Sequence, residues 1–84
     1  MDNLPKEGDI LMGTVYSDNF ILKVKIDDRD IIAGLIDKNT YPASIYIKFI
    51  KKMAGRHIYV RVVNVDNEKG YIDVTCKVNN NRFL

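Results

Sequence analysis

Val63-Asn64-Val65-Asp66-Asn67-Glu68-Lys69-Gly70-Tyr71-Ile72-Asp73-Val74-Thr75-Cys76-Lys77 is the stretch that decides the fold. Two β-like runs flank a polar turn, and Gly70 supplies the φ > 0 position that a hairpin bend often needs. After the turn the residues alternate, and successive strand side chains face opposite sides. Ile72, Val74 and Cys76 are therefore expected to face a core, with Tyr71, Asp73, Thr75 and Lys77 on the outer face.

Working back toward the N-terminus, further strands are legible. Gly8-Asp9 opens a first strand, about Ile10 to Tyr16, and Ser17-Asp18-Asn19 is a turn cluster. The run Phe20 to Ile26 has the clearest alternation, with Phe20, Leu22, Val24 and Ile26 on one face and Lys23 and Lys25 on the other. Asp27-Asp28-Arg29-Asp30 turns again, and Ile31 to Ile36 reads as a short strand. Gly34 inside it marks an expected bulge or bend.

From Asp37 to Ser44 the pattern lapses into loop, broken by Pro42. Ser44 is placed to cap a helix over Ile45 to Met53, with Ile45, Phe49, Ile50 and Met53 on one face. Ala54-Gly55 would end it, with Lys51 and Lys52 in the last turn. Ile58 to Val65 is a fourth strand and Tyr71 to Lys77 the fifth. The fold class is thus mainly β, a five-stranded OB-fold barrel with a short helix between strands three and four. Phe20, Leu22, Val24, Phe49, Val60 and Val62 are assigned to its core.

Composition agrees with one domain spanning residues 1–84, with 1–7 and 78–84 expected to fray. At 46% hydrophobic and 29% charged it is an ordinary globular composition. The lone Cys76 cannot form an internal disulfide, which fits a reducing compartment. No signal-peptide pattern opens the chain, and no run approaches the ~18 apolar residues of a membrane span. A net charge of +2 is too small to argue for nucleic acid. Lys48, Lys51, Lys52, Arg56 and Arg61 nonetheless crowd the second half, either as a solvated face or as a modest basic surface.

Catalysis is not expected. The sole histidine, His57, has no second His or nearby Cys at metal-ligand spacing, and no nucleophile with an orienting partner is evident. The Asp27–Asp30 cluster lacks the length and later Glu of a calcium loop, and no phosphate-cradling glycine loop occurs. No metal and no cofactor are anticipated.

On pattern alone, Asn67 to Asp73 is equally an ordinary hairpin. Residue by residue, however, Asp66-Asn67-Glu68-Lys69-Gly70-Tyr71-Ile72-Asp73 resembles the kinase-docking element of the alpha subunit of translation initiation factor 2. The likeness runs from about Gly8 to Lys77 and is strongest from Gly55 to Asp73. A chain of 84 residues with only this domain is similar to the poxviral mimics of that subunit, which are pseudosubstrate inhibitors of PKR, the kinase activated by double-stranded RNA. The resemblance implies docking through Lys69, Gly70, Tyr71, Ile72 and Asp73 on a helix of the kinase's large lobe. Tyr71 is the type of amphipathic residue enriched at hot spots, and Asp73 accepts hydrogen bonds on the same face.

In the cellular substrate the loop before the helix carries a phosphorylated serine followed by arginines. Here the matching segment, Asn39, Thr40, Tyr41, Pro42, Ala43 and Ser44, places Tyr41 or Pro42 near that acceptor and lacks the arginine run. The resemblance therefore implies a pseudosubstrate loop, a monomer, and the cytoplasm of an infected host cell. The rival reading is an OB-fold RNA-binding module, with Tyr46 and Tyr59 as exposed stacking aromatics.

Overall fold

The computed structural model describes residues 4–37 and 42–78. In chain order they form β1 (Ile10–Asp18), β2 (Ile21–Ile26), β3 (Ile32–Leu35), α1 (Ala43–Met53), β4 (His57–Asp66) and β5 (Tyr71–Thr75). The strands close into a barrel in the order β1-β2-β3-β5-β4. All neighbours are antiparallel except β3 and β5, which pair in parallel through Ala33↔Ile72, Gly34↔Asp73 and Leu35↔Val74. The expected mainly β, five-stranded barrel with one short helix between β3 and β4 is the observed architecture. No described helix is long and apolar enough to cross a membrane.

Alternation puts every second strand residue inside. Val15, Leu22, Val24, Ile26, Val60 and Val62 are fully or almost fully buried, and Ile72, Val74 and Cys76 join them as the alternation after Gly70 requires. α1 adds Phe49, Ile50 and Met53 to the same cluster. Burial of each such side chain is worth about 1.5–3 kcal/mol.

Several expectations need correction. Phe20 is not core: it is 68% exposed. With Asp18 paired to Ile21, the β1–β2 connection has only two residues, Asn19 and Phe20, at φ +54 and +65. A two-residue hairpin with both residues left-handed lifts Phe20 out of the pleat. Gly34 marks no bulge, since it pairs regularly with Lys23 and Asp73. The irregularity lies instead on β4, between Val62 and Asn64.

The helix starts earlier than expected, so Ala43 and Ser44 are helical rather than loop. Pro42, not Ser44, is the N-cap, at φ −60 and ψ 156. Its carbonyl accepts the N–H groups of Ile45 and Tyr46 at 3.0 and 2.9 Å, and a fixed φ with no N–H of its own makes proline a tolerable opening. Residues 43–45 are all exposed, and Ile45, assigned to the buried stripe, is 49% exposed. The C-terminal end is as expected: Ala54 caps it, Gly55 follows at φ +88, and Lys51 and Lys52 occupy the last turn. Leu4 packs against the core and Pro5 is buried, so this part of residues 1–7 is docked rather than frayed; Met1–Asn3 and 79–84 lie outside the described residues.

Asp37, read as the first residue of a polar loop, is only 2% exposed. Its Oδ2 accepts the Thr75 hydroxyl at 2.9 Å and its Oδ1 accepts the Cys76 N–H at 2.8 Å. The carboxylate thus fastens the end of β3 to the end of β5, where the parallel ladder has stopped at Leu35 and Val74. It also explains why Thr75, on the outer face by alternation, is buried. Beside it, burial pushes the Cys76 thiol up to about 12, and the charge of Asp37 acts in the same direction.

Two outcomes are expected. Asp37→Ala strands the Thr75 hydroxyl and the Cys76 N–H, so urea unfolding should show a loss of about 2–3 kcal/mol. The Cys76 thiol is held protonated in the fold, so its contribution is whole below the unfolded value of about 8.5 and is lost as pH rises toward about 12. The urea midpoint should therefore fall above about pH 9, less steeply in Cys76→Ala.

Candidate functional site

The turn between β4 and β5 is organised by Asp66. Its Oδ1 accepts the N–H groups of Glu68 and Lys69, both at 3.1 Å, and its carbonyl accepts the Gly70 N–H at 2.9 Å. Gly70 lies at φ +69, the left-handed region where a Cβ is strained. The bend delivers Lys69, Gly70 and Tyr71 to the surface, with Tyr71 44% exposed. Ile72 points into the core and shapes the strand from within. Asp73 is half-buried on the same outer face as Tyr71.

Register places these two in a definite setting. Across the outer face runs a row formed by Tyr16 on β1, Lys23 on β2, Gly34 on β3, Asp73 on β5 and Asn64 on β4. The Tyr71 hydroxyl and Asp73 Oδ1 both lie close above Gly34, and Asn64 Nδ2 donates to Asp73 Oδ2 at 3.3 Å. Hydrogen bonding toward Asp73, then partial burial and the charge of Asp73, hold the Tyr71 phenol above its ordinary value, so it is neutral. Tyr71 and Asp73 form one linked unit, bordered by the exposed apolar chains Ile21 and Ile32 in a shallow groove.

Such a unit offers an aromatic surface and a carboxylate with spare acceptor capacity. It contains no activated nucleophile. Among the described residues no group of three or more His, Cys, Asp or Glu is placed to hold a metal ion. The Asp27–Asp30 turn is tied up locally. Asp27 Oδ2 lies 2.6 Å from His57 Nε2 while its Oδ1 accepts the Thr14 hydroxyl at 3.2 Å, and Asp28 pairs with Arg29 at 3.3 Å.

Of the second candidate segment, Asn39, Thr40 and Tyr41 lie outside the described residues, while Pro42, Ala43 and Ser44 form the exposed start of α1. Of the two aromatics assigned to stacking, Tyr59 is exposed on β4. Tyr46 is not: it packs against the core, its hydroxyl buried without a hydrogen-bond partner among the described residues. The sequence alone does not place Gly34 and Asn64 in the site, and it gives Asp66, the first residue of the resembling stretch, no role of its own. Asp66 carries a local signal, a turn aspartate two and three residues before the N–H groups it accepts. Gly34 and Asn64 depend on strand pairing and carry none.

No family model matches the chain. It is 30% identical over 76 residues to Protein K3 of vaccinia virus (strain Western Reserve), a match covering 89% of this chain and 86% of that protein. Its structure is similar to the crystal structure of the K3 protein from vaccinia virus (Wisconsin strain), with a TM-score of 0.81 and 30% identity over 94% of this chain and 99% of that one. An initiation factor 2 alpha subunit from Pyrococcus horikoshii, solved with Dim2p and rRNA, aligns with a TM-score of 0.67 at 24% identity over 88% of this chain and 45% of that one, a likeness of fold alone. Length, barrel and sequence agree across the vaccinia matches, and the chain belongs to the poxvirus K3 protein family.

Proposed function

We propose that this chain is a non-catalytic pseudosubstrate that binds the substrate-docking surface of PKR and competitively blocks phosphorylation of the initiation factor 2 alpha subunit, sustaining translation in an infected cell. The observation that carries the reading is the Tyr71–Asp73 unit, presented on the outer wall of a closed barrel by a hairpin whose sequence resembles the substrate's docking element. Membership of the K3 family supports it. The barrel competes by offering the docking patch while Tyr41 or Pro42 stands where the substrate has its acceptor serine. Because the phenol and carboxylate already lie together above β3, little further ordering is needed on binding.

One observation favours the RNA-binding alternative. Tyr16 and Lys23 are cross-strand neighbours on the outer face, an aromatic beside a cation. RNA binding would weaken steeply with added salt and respond to Lys23→Ala, whereas inhibition through the hairpin would respond to Tyr71.

The test is a PKR assay with the alpha subunit as varied substrate. Competitive inhibition is expected, with Tyr71→Ala and Asp73→Ala each weakening it at least about tenfold, as for central hot-spot residues, while circular dichroism stays unchanged. Folded variants that inhibit as well as the parent would sink the docking role. Efficient phosphorylation at Thr40 or Ser44 would make the chain a substrate instead.

A further inference from the structure

Gly34 sits in the middle of the outer sheet face, yet its backbone gives no reason for a glycine. It does not lie at positive φ, as Gly55 and Gly70 do, and it pairs regularly on both sides. A glycine inside a strand also costs roughly 0.5–1 kcal/mol relative to alanine. The explanation is what lies above it. A Cβ at this position would stand 2.5 Å from Tyr71 Oη, 3.2 Å from Asp73 Oδ1 and 3.5 Å from Tyr71 Cζ. The phenol occupies the space that a side chain on β3 would fill.

We propose that Gly34 is the positioning residue of the docking unit: the bare backbone lets Tyr71 lie back across β3, so that its hydroxyl reaches Asp73 and the two are presented together. Any side chain at 34 lifts the phenol outward and separates it from the carboxylate. The closest atom is the far end of the Tyr71 side chain, which is exposed and can swing into solvent, so the barrel itself survives the change. The proposal deepens the docking reading above and rests on it for its functional consequence. Its geometric content stands apart from any kinase.

The experiment compares Gly34→Ala and Gly34→Val with the parent by three measurements: urea unfolding, PKR inhibition, and titration of Tyr71 by NMR of carbon-13-labelled tyrosine, with Tyr71→Phe for assignment. Besides Asp73, the charged groups nearest by register are Asp66, opposite Tyr71 on β4, and Lys23, across Gly34 on β2. Both variants should unfold at or above the parent's urea midpoint, titrate Tyr71 closer to an ordinary tyrosine, and inhibit roughly five- to tenfold less well. In an Asp73→Asn background, Gly34→Ala should move the Tyr71 titration little further. A folded Gly34→Val whose Tyr71 titrates as in the parent overturns the proposal. Should Gly34→Ala fail to fold, the double variant with Tyr71→Ala decides: recovery supports the phenol as the occupant, and continued failure overturns it. A parent chain that does not inhibit PKR refutes the docking reading, and the titration still decides the role of Gly34.

Discussion

The parallel pairing of β3 with β5 is the constraint on which the rest of this structure depends. Every other neighbouring pair of strands is antiparallel. It joins segments separated by the helix and β4, so it carries a chain-closure cost that the pairs of consecutive strands do not. It is also short, three residue pairs long, and ends with backbone and hydroxyl groups in need of partners. Asp37 answers that need by reaching from the end of β3 to Thr75 and Cys76. A charged group is rarely buried unless it is engaged, and here the engagement carries the β3–β5 contact past the last ladder pair.

The same pairing builds the outer face. It sets Gly34 beside Asp73, and because side chains two apart on a strand share a face, it brings Tyr71 over the bare backbone of β3. The hairpin alone would leave Tyr71 free to rotate about its side-chain torsions. The space left by the missing side chain of Gly34, beside Asp73, gives the phenol a place to lie. Packing inside the barrel and chemistry outside it are therefore two consequences of one register.

What the amino-acid sequence reveals, and what it conceals, follows from this. Period-two alternation in Leu22, Val24 and Ile26, and in Ile72, Val74 and Cys76, is a local property, and it located the strands and the core. Gly70 and the polar turn before it are local too. Phe20 misled because alternation cannot say where a two-residue turn begins, and the turn claimed it. Ile45 misled because helical spacing reports a face but not how far along the helix the barrel extends beneath it. Asp37 and Gly34 were illegible for a different reason. Each owes its role to residues on β5 or just beyond it, far along the chain, and no pattern on one strand discloses the register of another.

On the proposed reading, this division of labour bears on how a small protein can rival a larger substrate. Association must meet the cost of ordering the side chains that make contact, about 0.5–1.5 kcal/mol for each long one immobilised. A surface phenol laid against a sheet beside a carboxylate gives up part of that freedom on folding. The cost moves from the binding step to the folding step, where the buried core offsets it. Rigidity also limits the surface: it fits a partner shaped for that one arrangement and adapts poorly to others. Selectivity among kinases would then reside less in which residues the hairpin carries than in how β3 lets them lie.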